Sequence, residues 1–329
     1  MTKVLVTGGA GFVGSHLVDS LMADGDEVVV LDNLSSGSLK NITRWTGDPK
    51  LKFIEGDLLE LPKVTEALEG CEIVFHLAAN PEVRVGSADP SVHFRENVQA
   101  TFQLLEAVRK AGGVRRLVFT SSSTVYGEAP IPTREDCSSQ GPISIYGASK
   151  LSCEALMTAY ARSYGFDALI LRLANVVGPR GRHGVIPDFV RKLKGNPREL
   201  EILGDGTQRK SYLYVRDCVE SLLLGLKDLG GRVEVFNVGS EDQVDVVTIA
   251  KVVAEEMGLD DVELKVTGGV DGGRGWVGDV KDMLLDISKI KRNGWRPRFS
   301  SIESVRMAAR ALIEETETTS SRPVGRVMT

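Results

Sequence analysis

The chain has 329 residues, enough for one large domain or two coupled domains, with 45 acidic and 40 basic side chains and a net charge of -5. This acidic balance and the absence of a long Lys/Arg run argue against a nucleic-acid partner, and the apolar runs are too short to span a membrane. The four cysteines are scattered and no secretory signal precedes the first strand, so we expect a cytoplasmic protein without a metal site or a disulfide framework.

Short β-branched runs alternate with amphipathic helical patterns along the first half of the chain. The predicted strands are Lys3–Val6, Val28–Leu31, Lys52–Glu55, Ile73–Leu77, Arg116–Thr120, Leu169–Leu173 and Val235–Val238. The predicted helices are Gly14–Ala23, Pro62–Leu68, Val92–Lys110 and Tyr146–Tyr164. This alternation predicts an α/β fold built on a doubly wound parallel sheet of the Rossmann type.

The pattern loosens after Val176, where Gly and Pro recur through 178–184 and 268–278. We expect residues 1–175 to form the Rossmann domain and 176–315 to form mainly a smaller α/β substrate-binding lobe, with 212–239 returning to the first domain. Residues 316–329 are polar and aperiodic, which predicts a disordered tail.

A glycine-rich segment follows the first predicted strand and opens a helix. Gly8, Gly11 and Gly14 are spaced so that the backbone can approach a pyrophosphate at the helix start. Asp32 ends the second predicted strand, where a carboxylate can bind ribose hydroxyls and repel a 2′-phosphate, which favours NAD over NADP. Asp57 follows the third predicted strand and could meet the adenine, although capping the next helix is an equally good role.

Tyr146 and Lys150 lie four residues apart in a predicted helix, so their side chains share one face. A nearby ammonium and a nicotinium lower the pKa of a phenol, which can then accept a hydroxyl proton while hydride leaves the same carbon. The hydroxyl-rich segment 120–127 follows the fifth predicted strand, at the ligand-binding edge of such a sheet. Its alternative role is a Ser/Thr-rich turn that bonds its own backbone.

Five segments occur in a fixed order along the chain. They are the glycine loop, Asp32-Asn33-Leu34, His76-Leu77-Ala78-Ala79, the Ser-rich segment ending in Val125-Tyr126-Gly127, and Tyr146-x-x-x-Lys150. Together they resemble the extended short-chain dehydrogenase/reductase family, and within it the nucleotide-sugar epimerases of the UDP-glucose (UDP-galactose) 4-epimerase type. The resemblance covers essentially the whole chain.

The resemblance implies three catalytic residues: Ser122, Tyr146 as acid/base, and Lys150, which holds both the phenolate and the nicotinamide ribose. It also implies an NAD site formed by Gly8, Gly11, Phe12, Val13, Gly14, Asp32, Asn33, Asp57, Leu58, Leu77, Ala78, Ala79, Asn97, Tyr146 and Lys150. A helix N-cap or a hydrogen bond to the backbone is the alternative role for Asn97. His76 lies in an apolar strand end and is interpreted as structural.

The resemblance places the substrate on residues from both halves of the chain. The implied contacts are Arg84, Ser122, Ser123, Tyr146, Asn175, Val185, Ile186, Arg209 and Arg274, with the last two arginines neutralising a diphosphate. Arg84 or Arg182 could face the hexose and bind a C6 carboxylate, which would make UDP-glucuronate an alternative substrate to UDP-glucose. The alternative is that both arginines line the solvent rim or reach a phosphate.

Two hydroxyl residues, Ser123 and Thr124, bear on the reaction. Relatives that dehydrate or decarboxylate sugar nucleotides usually carry an acidic residue before Val125, whereas neither hydroxyl titrates near neutrality. The sequence therefore favours epimerisation at C4, with NAD regenerated in each turnover. An NAD(P)H-dependent reductase of the same family is the alternative, and a non-enzymatic relative would usually lack the Tyr and Lys.

The resemblance also implies a homodimer that pairs helices Val92–Lys110 and Tyr146–Tyr164. The second helix carries an apolar face, formed by Leu151, Ala155, Leu156 and Ala159, that could equally be core packing.

Overall fold

The computed structural model describes residues 2–138, 141–227 and 230–320. The strands of these residues are β1 (Lys3–Thr7), β2 (Glu27–Asp32), β3 (Leu51–Glu55), β4 (Ile73–His76), β5 (Arg116–Ser122), β6 (Asp167–Leu173), β7 (Asn175–Val177), β8 (Glu199–Ile202), β9 (Arg209–Lys210), β10 (Tyr212–Tyr214), β11 (Val233–Val238), β12 (Val244–Asp245), β13 (Glu263–Val266) and β14 (Asp282–Met283).

The α-helices of the same residues are α1 (Phe12–Ala23), α2 (Leu61–Leu68), α3 (Val85–Ala88), α4 (Pro90–His93), α5 (Ala100–Ala111), α6 (Ile145–Tyr164), α7 (Val185–Gly195), α8 (Val215–Leu222), α9 (Val246–Glu256), α10 (Ser288–Arg292) and α11 (Ser301–Ser320). A π-helical segment, Phe94–Gln99, joins α4 to α5, and short 3-10 turns lie at Leu39–Asn41, Thr43–Trp45, Ser123–Tyr126 and Leu223–Leu226. Within the described residues, no helix is long and apolar enough to cross a membrane.

Seven parallel strands form the main sheet in the order β11-β6-β5-β4-β1-β2-β3. The sheet is buried on both faces: Val4 and Val6 pack against one layer of the core, while Leu5 packs against the other. Strand order reverses between β1 and β4, and in a doubly wound sheet a ligand cleft opens at the carboxyl ends of such a pair. The predicted fold class and the seven predicted strands are confirmed.

Helices cover the two faces of this sheet. On one face, α1 and α8 contribute Leu17, Leu21 and Leu222 to the core, and on the other α2, α5 and α6 contribute Leu68, Leu104 and Met157, among others. A separate apolar core joins α7, α9 and α11, with the parallel pair β8–β13 at its edge. In the chain, this smaller core is formed after β7 by α7 and β8, which precede the sheet strand β11, and by α9, β13 and α11, which follow it.

Two predicted elements need correction. The helix predicted over Val92–Lys110 is divided into α4, the π-helical segment and α5, because the wider π turn takes up an additional residue. Residues 316–320, expected to begin a disordered tail, instead complete α11, since no Gly or Pro interrupts the helix before Pro323 and Val305, Ala308 and Leu312 anchor it to the core. The rest of the expected tail, 321–329, lies outside the described residues.

Candidate active site

A cleft of about 550 Å³ opens at the carboxyl ends of the sheet strands. One side is formed by the loops after β1, β2, β3, β4 and β5, and the other by residues of the smaller core, including Val185 and Phe189 of α7. A cleft of this volume is typical of sites for small molecules and cofactors.

The glycine loop forms the floor of the cleft beneath the start of α1. Gly8 has a φ of 71°, and a Cβ there would lie 2.8 Å from the Ala78 backbone nitrogen. A Cβ on Gly14 would lie 2.1 Å from the Gly8 carbonyl oxygen, so neither position tolerates a side chain. Gly11 caps α1 without a side-chain hydrogen bond, which leaves backbone N–H groups of the first turn directed at the cleft. The loop thus has the shape and the donors that a pyrophosphate requires.

Asp32 holds this loop in place at the end of β2. Its carboxylate accepts hydrogen bonds from the backbone N–H groups of Ala10 at 2.9 Å and Leu34 at 2.8 Å. Burial raises the pKa of Asp32, while these two donors oppose the shift. Asp32 also lines the cleft, where a carboxylate can accept from ribose hydroxyls.

The other predicted NAD contacts lie at neighbouring strand ends. Asn33 donates to Asp57 at 2.7 Å, and the second Asp57 oxygen accepts from the Leu59 backbone, so this carboxylate both organises its own turn and joins two strand ends. The residues of the prediction that line the cleft are Gly8, Gly11, Phe12, Val13, Gly14, Asp32, Asn33, Asp57, Leu58, Leu77, Ala78, Ala79, Tyr146 and Lys150.

Asn97 does not line the cleft, so its predicted contact with the cofactor needs correction. It lies in the π-helical segment and is 2 % exposed. Its carbonyl oxygen accepts from the Asn80 backbone at 2.8 Å, and its amide donates to the Ser149 hydroxyl at 2.9 Å. Asn97 therefore ties the loop after β4 to α6, which is the alternative role given above.

His76 is enclosed between two hydroxyl groups. One ring nitrogen hydrogen-bonds with Thr7 at 2.8 Å and the other with Thr101 at 2.9 Å. Burial, followed by the charge of Lys150, lowers the pKa of His76 to about 3, so the ring is neutral near pH 7. This environment suits a structural residue.

Ser122, Tyr146 and Lys150 lie together at the wall of the cleft. Ser122 ends β5 and caps the turn that follows, because its hydroxyl accepts from the Thr124 backbone at 3.2 Å and from the Thr124 hydroxyl at 2.9 Å. Tyr146 and Lys150 occupy the first turns of α6, which Ser144 caps by accepting from the Gly147 N–H.

Burial disfavours charge on both members of the Tyr–Lys pair. It raises the pKa of Tyr146 to about 12, although a hydrogen bond with Ser122 opposes the shift. It lowers the pKa of Lys150 to about 8, with Cys153 and Glu154 acting in the opposite direction. Lys150 donates to the Thr120 carbonyl at 2.9 Å, and its nitrogen lies 5.9 Å from the centre of the Tyr146 ring. Among the groups that the structure describes, burial therefore dominates the pKa of the phenol, and its lowering by an ammonium and a nicotinium together stays a prediction.

The two arginines predicted to bind a diphosphate lie elsewhere, which corrects that prediction. Arg209 pairs with Asp282 at 3.0 Å and is 56 % exposed, while Arg274 pairs with Glu128, and neither lines the cleft. Successive residues of a strand point to opposite sides, so the residue after Arg209, Lys210, faces the cleft.

Lys210 belongs to a group of cleft residues that the sequence reasoning missed. Its ammonium pairs with the buried Asp279 carboxylate at 2.5 Å and lies 5.4 Å from the ring centre of Trp276. The guanidinium of Arg84 lies 5.6 Å from the same ring and pairs with Glu82 at 3.2 Å. The cations of Arg84 and Lys210 therefore both lie near the Trp276 indole, from opposite sides of the cleft. Two positive charges so close together are suited to binding an anionic group. From sequence, only the alternation of side chains along β9 could show that Lys210 faces the cleft, and a strand of two residues is too short to show an alternation.

The remaining predicted substrate residues line the cleft: Arg84, Ser122, Ser123, Tyr146, Asn175, Val185 and Ile186. Arg182 lines it as well, and its exposed side chain makes no ion pair with any residue that the structure describes. No cluster of His, Cys, Asp and Glu side chains suited to a metal ion occurs within 2–138, 141–227 and 230–320.

Comparisons with known proteins agree on one family. The model of the NAD dependent epimerase/dehydratase family matches residues 4–239. The UDP-glucose 4-epimerase of Mycolicibacterium smegmatis is 35% identical over 312 residues, which cover 92% of this chain and 96% of the relative. A crystal structure of a UDP-galactose 4-epimerase has 47% identity and a TM-score of 0.84, covering 95% of this chain and 99% of its own. MoeE5 in complex with UDP-glucuronic acid and NAD has 34% identity and a TM-score of 0.83, with coverages of 96% and 99%.

Proposed function

The chain belongs to the NAD dependent epimerase/dehydratase family, and on that basis we propose that it epimerises a UDP-hexose at C4 through a transient 4-keto sugar. NAD is the cofactor, and the glycine loop and Asp32 supply its cradle. The observation that carries the proposal is the placement of Ser122, Tyr146 and Lys150 together at the wall of the cleft.

The chain's own residues move one proton. Tyr146 takes the proton of the C4 hydroxyl and returns it to the C4 oxygen of the epimer. Ser122 hydrogen-bonds to the phenol, which stabilises the phenolate form. The glycine loop and Asp32 would hold NAD, which when bound would supply reversible hydride transfer at C4 and a positive nicotinium charge that favours the phenolate. Lys150, anchored by Thr120, adds a second positive charge at the same helix face.

The two hydroxyls after Ser122 distinguish this reaction from dehydration and decarboxylation. Thr124 donates its hydroxyl proton to Ser122, and Ser123 is 8 % exposed at the wall of the cleft. Neither side chain titrates near pH 7, so neither supplies the additional acid or base that those reactions need.

Proton NMR of the C4 configuration tests the proposal. Purified enzyme would be incubated separately with UDP-glucose, UDP-N-acetylglucosamine and UDP-glucuronate. We expect one of these to equilibrate with its C4 epimer, Tyr146→Phe to abolish turnover, and dialysed enzyme to retain stoichiometric NAD. Turnover only with added NADH, accompanied by a reduced product, would identify a reductase instead.

UDP-glucuronate is the second candidate substrate. Arg182 lines the cleft without an ion pair among the described residues, so its guanidinium can bind a C6 carboxylate in bidentate fashion. MoeE5, to which the chain is similar, is solved both with UDP-glucuronic acid and with UDP-glucose, so this similarity does not favour either candidate. If UDP-glucuronate is the substrate, Arg182→Ala lowers kcat/KM for UDP-glucuronate by about 10-fold or more and leaves that for UDP-glucose nearly unchanged.

A homodimer is the proposed assembly, formed by α5, α6 and the π-helical segment. Phe94, Phe102 and Tyr164 are 63%, 44% and 52% exposed, and the Tyr160 ring lies edge-to-face with Phe102 and tilted against Tyr164. An exposed aromatic group of this kind fits a second copy of the chain. Light scattering should show a dimer that Phe102→Glu dissociates and that the control Val266→Glu, on β13, leaves intact. A cytoplasmic location stays a prediction.

A further inference from the structure

A buried carboxylate lies directly behind the catalytic residues. Glu154 follows Lys150 by one turn of α6 and is 5 % exposed. It pairs with Arg172 of β6, whose Nε and Nη2 atoms donate at 2.9 Å and 2.6 Å. A buried ion pair of this kind often stabilises a protein no more than apolar residues would, so stability alone gives no reason for it.

The same carboxylate also reaches the strand that carries Ser122. The hydroxyl of Ser121 donates to Glu154 Oε1 at 2.5 Å, and Ser121 is 4 % exposed. Ser121 lies beside Arg172 in the register of β5 and β6. One carboxylate therefore joins the helix of Tyr146 and Lys150 to the end of the strand that Ser122 terminates.

Arg172 extends this link to the turn after Ser122. Its Nη1 atom donates to the Tyr126 hydroxyl at 2.8 Å, and that hydroxyl donates to Asn237 at 2.7 Å. Tyr126 ends the turn Ser123–Tyr126, which contains the two hydroxyl residues that face the cleft. The network thus reaches both sides of Ser122.

We propose that Glu154 and Ser121 are positioning residues, which fix the distance from Ser122 to Tyr146 and Lys150. An ionised carboxylate can accept several hydrogen bonds at once, so Glu154 can bind Arg172 and Ser121 together. Apolar side chains at the same positions could not make this link. An error of about 1 Å in the position of a catalytic group can cost up to 100-fold in rate. The inference rests on the proposed function, because the epimerase rate is its readout.

Ser121→Ala is the first test, because it removes the link to β5 and keeps the ion pair. We expect kcat for C4 epimerisation to fall about 10-fold, while KM, bound NAD and Tm stay near their wild-type values. Ser152→Ala, at an exposed position of the same helix, is the matched control and should leave all four unchanged. A wild-type kcat for Ser121→Ala would overturn the inference.

The second test separates positioning from stability. Glu154→Met and Arg172→Met each remove one half of the buried ion pair and should lower Tm, whereas the double variant removes both charges and should recover most of that loss. We expect kcat of the double variant to stay at least about 10-fold low, because Ser121 still lacks its acceptor. Recovery of kcat together with Tm would show a merely structural pair. A wild-type enzyme inactive on every UDP-sugar would refute the proposed function instead.

Discussion

Gly14→Ala is the sharpest test of the cofactor loop. The added Cβ would lie 2.1 Å from the Gly8 carbonyl oxygen and 2.9 Å from the Gly9 Cα, and both neighbours are backbone atoms that cannot rotate away. To reach an ordinary contact of 3.4 Å, the loop and α1 must separate by roughly 1.3 Å. Overpacking of this kind costs about 1–3 kcal/mol and lowers Tm by about 1–4 °C in a protein of this size.

The same displacement removes the surface on which a pyrophosphate would lie, so the purified variant should contain little NAD. Nucleotide released by acid and quantified by chromatography, together with Tm from calorimetry, gives both readouts. Gly195→Ala is the matched control, because a Cβ there meets nothing within 4 Å. A Gly14→Ala protein with stoichiometric NAD and the Tm of the wild type would refute the close-approach argument.

Three further predictions concern the cleft. Lys210→Ala should raise KM for the UDP-sugar about 10-fold or more, whereas Arg209→Ala, outside the cleft, should not change it, as steady-state kinetics can show. Asp32→Asn should lower the NAD content of the purified protein. It should also lower the free energy of unfolding, measured by urea denaturation, by about 1–3 kcal/mol, because an amide has one acceptor oxygen for two backbone donors. In enzyme stripped of NAD, the phenol of Tyr146 should titrate with a pKa of about 12. The titration is measured as the difference in ultraviolet absorbance between the wild type and Tyr146→Phe. A pKa at or below the ordinary range of tyrosine would contradict the effect of burial.

The main sheet was accessible from sequence because its strands are continuous apolar runs. β1 and β4 are buried along most of their length, and their period differs clearly from that of the helices between them. β9, β12 and β14 have two residues each, so they carry no period at all. The π-helical segment could not be predicted from the sequence either, because a local change of helical pitch leaves the amphipathic pattern almost intact.

The candidate site likewise contains residues that can be predicted from the sequence and residues that cannot. Gly8, Gly14 and the Tyr146–Lys150 pair depend on local spacing, and the structure places all of them at the cleft. The direction of Arg209 depends instead on the phase of β9, which is set by pairing with β12 and β14 from later in the chain. Arg209 is a candidate from sequence because of its charge, whereas the tertiary pairing of β9 directs Lys210 into the cleft instead.

The burial of Tyr146 and Lys150, the proposed catalytic pair, bears on the order of proton and hydride transfer in the proposed reaction. Burial raises the pKa of Tyr146 and lowers that of Lys150, so a charge brought into this poorly screened site acts strongly on both. The oxidised nicotinamide ring is positive and the reduced ring is neutral. On the proposed mechanism, the positive ring of oxidised NAD would help Tyr146 to give up its own proton, and Tyr146 would then hold the substrate proton until it returns to the C4 oxygen. That order is the one that epimerisation needs, and it requires no acid or base beyond Tyr146, which is consistent with hydroxyls at Ser123 and Thr124.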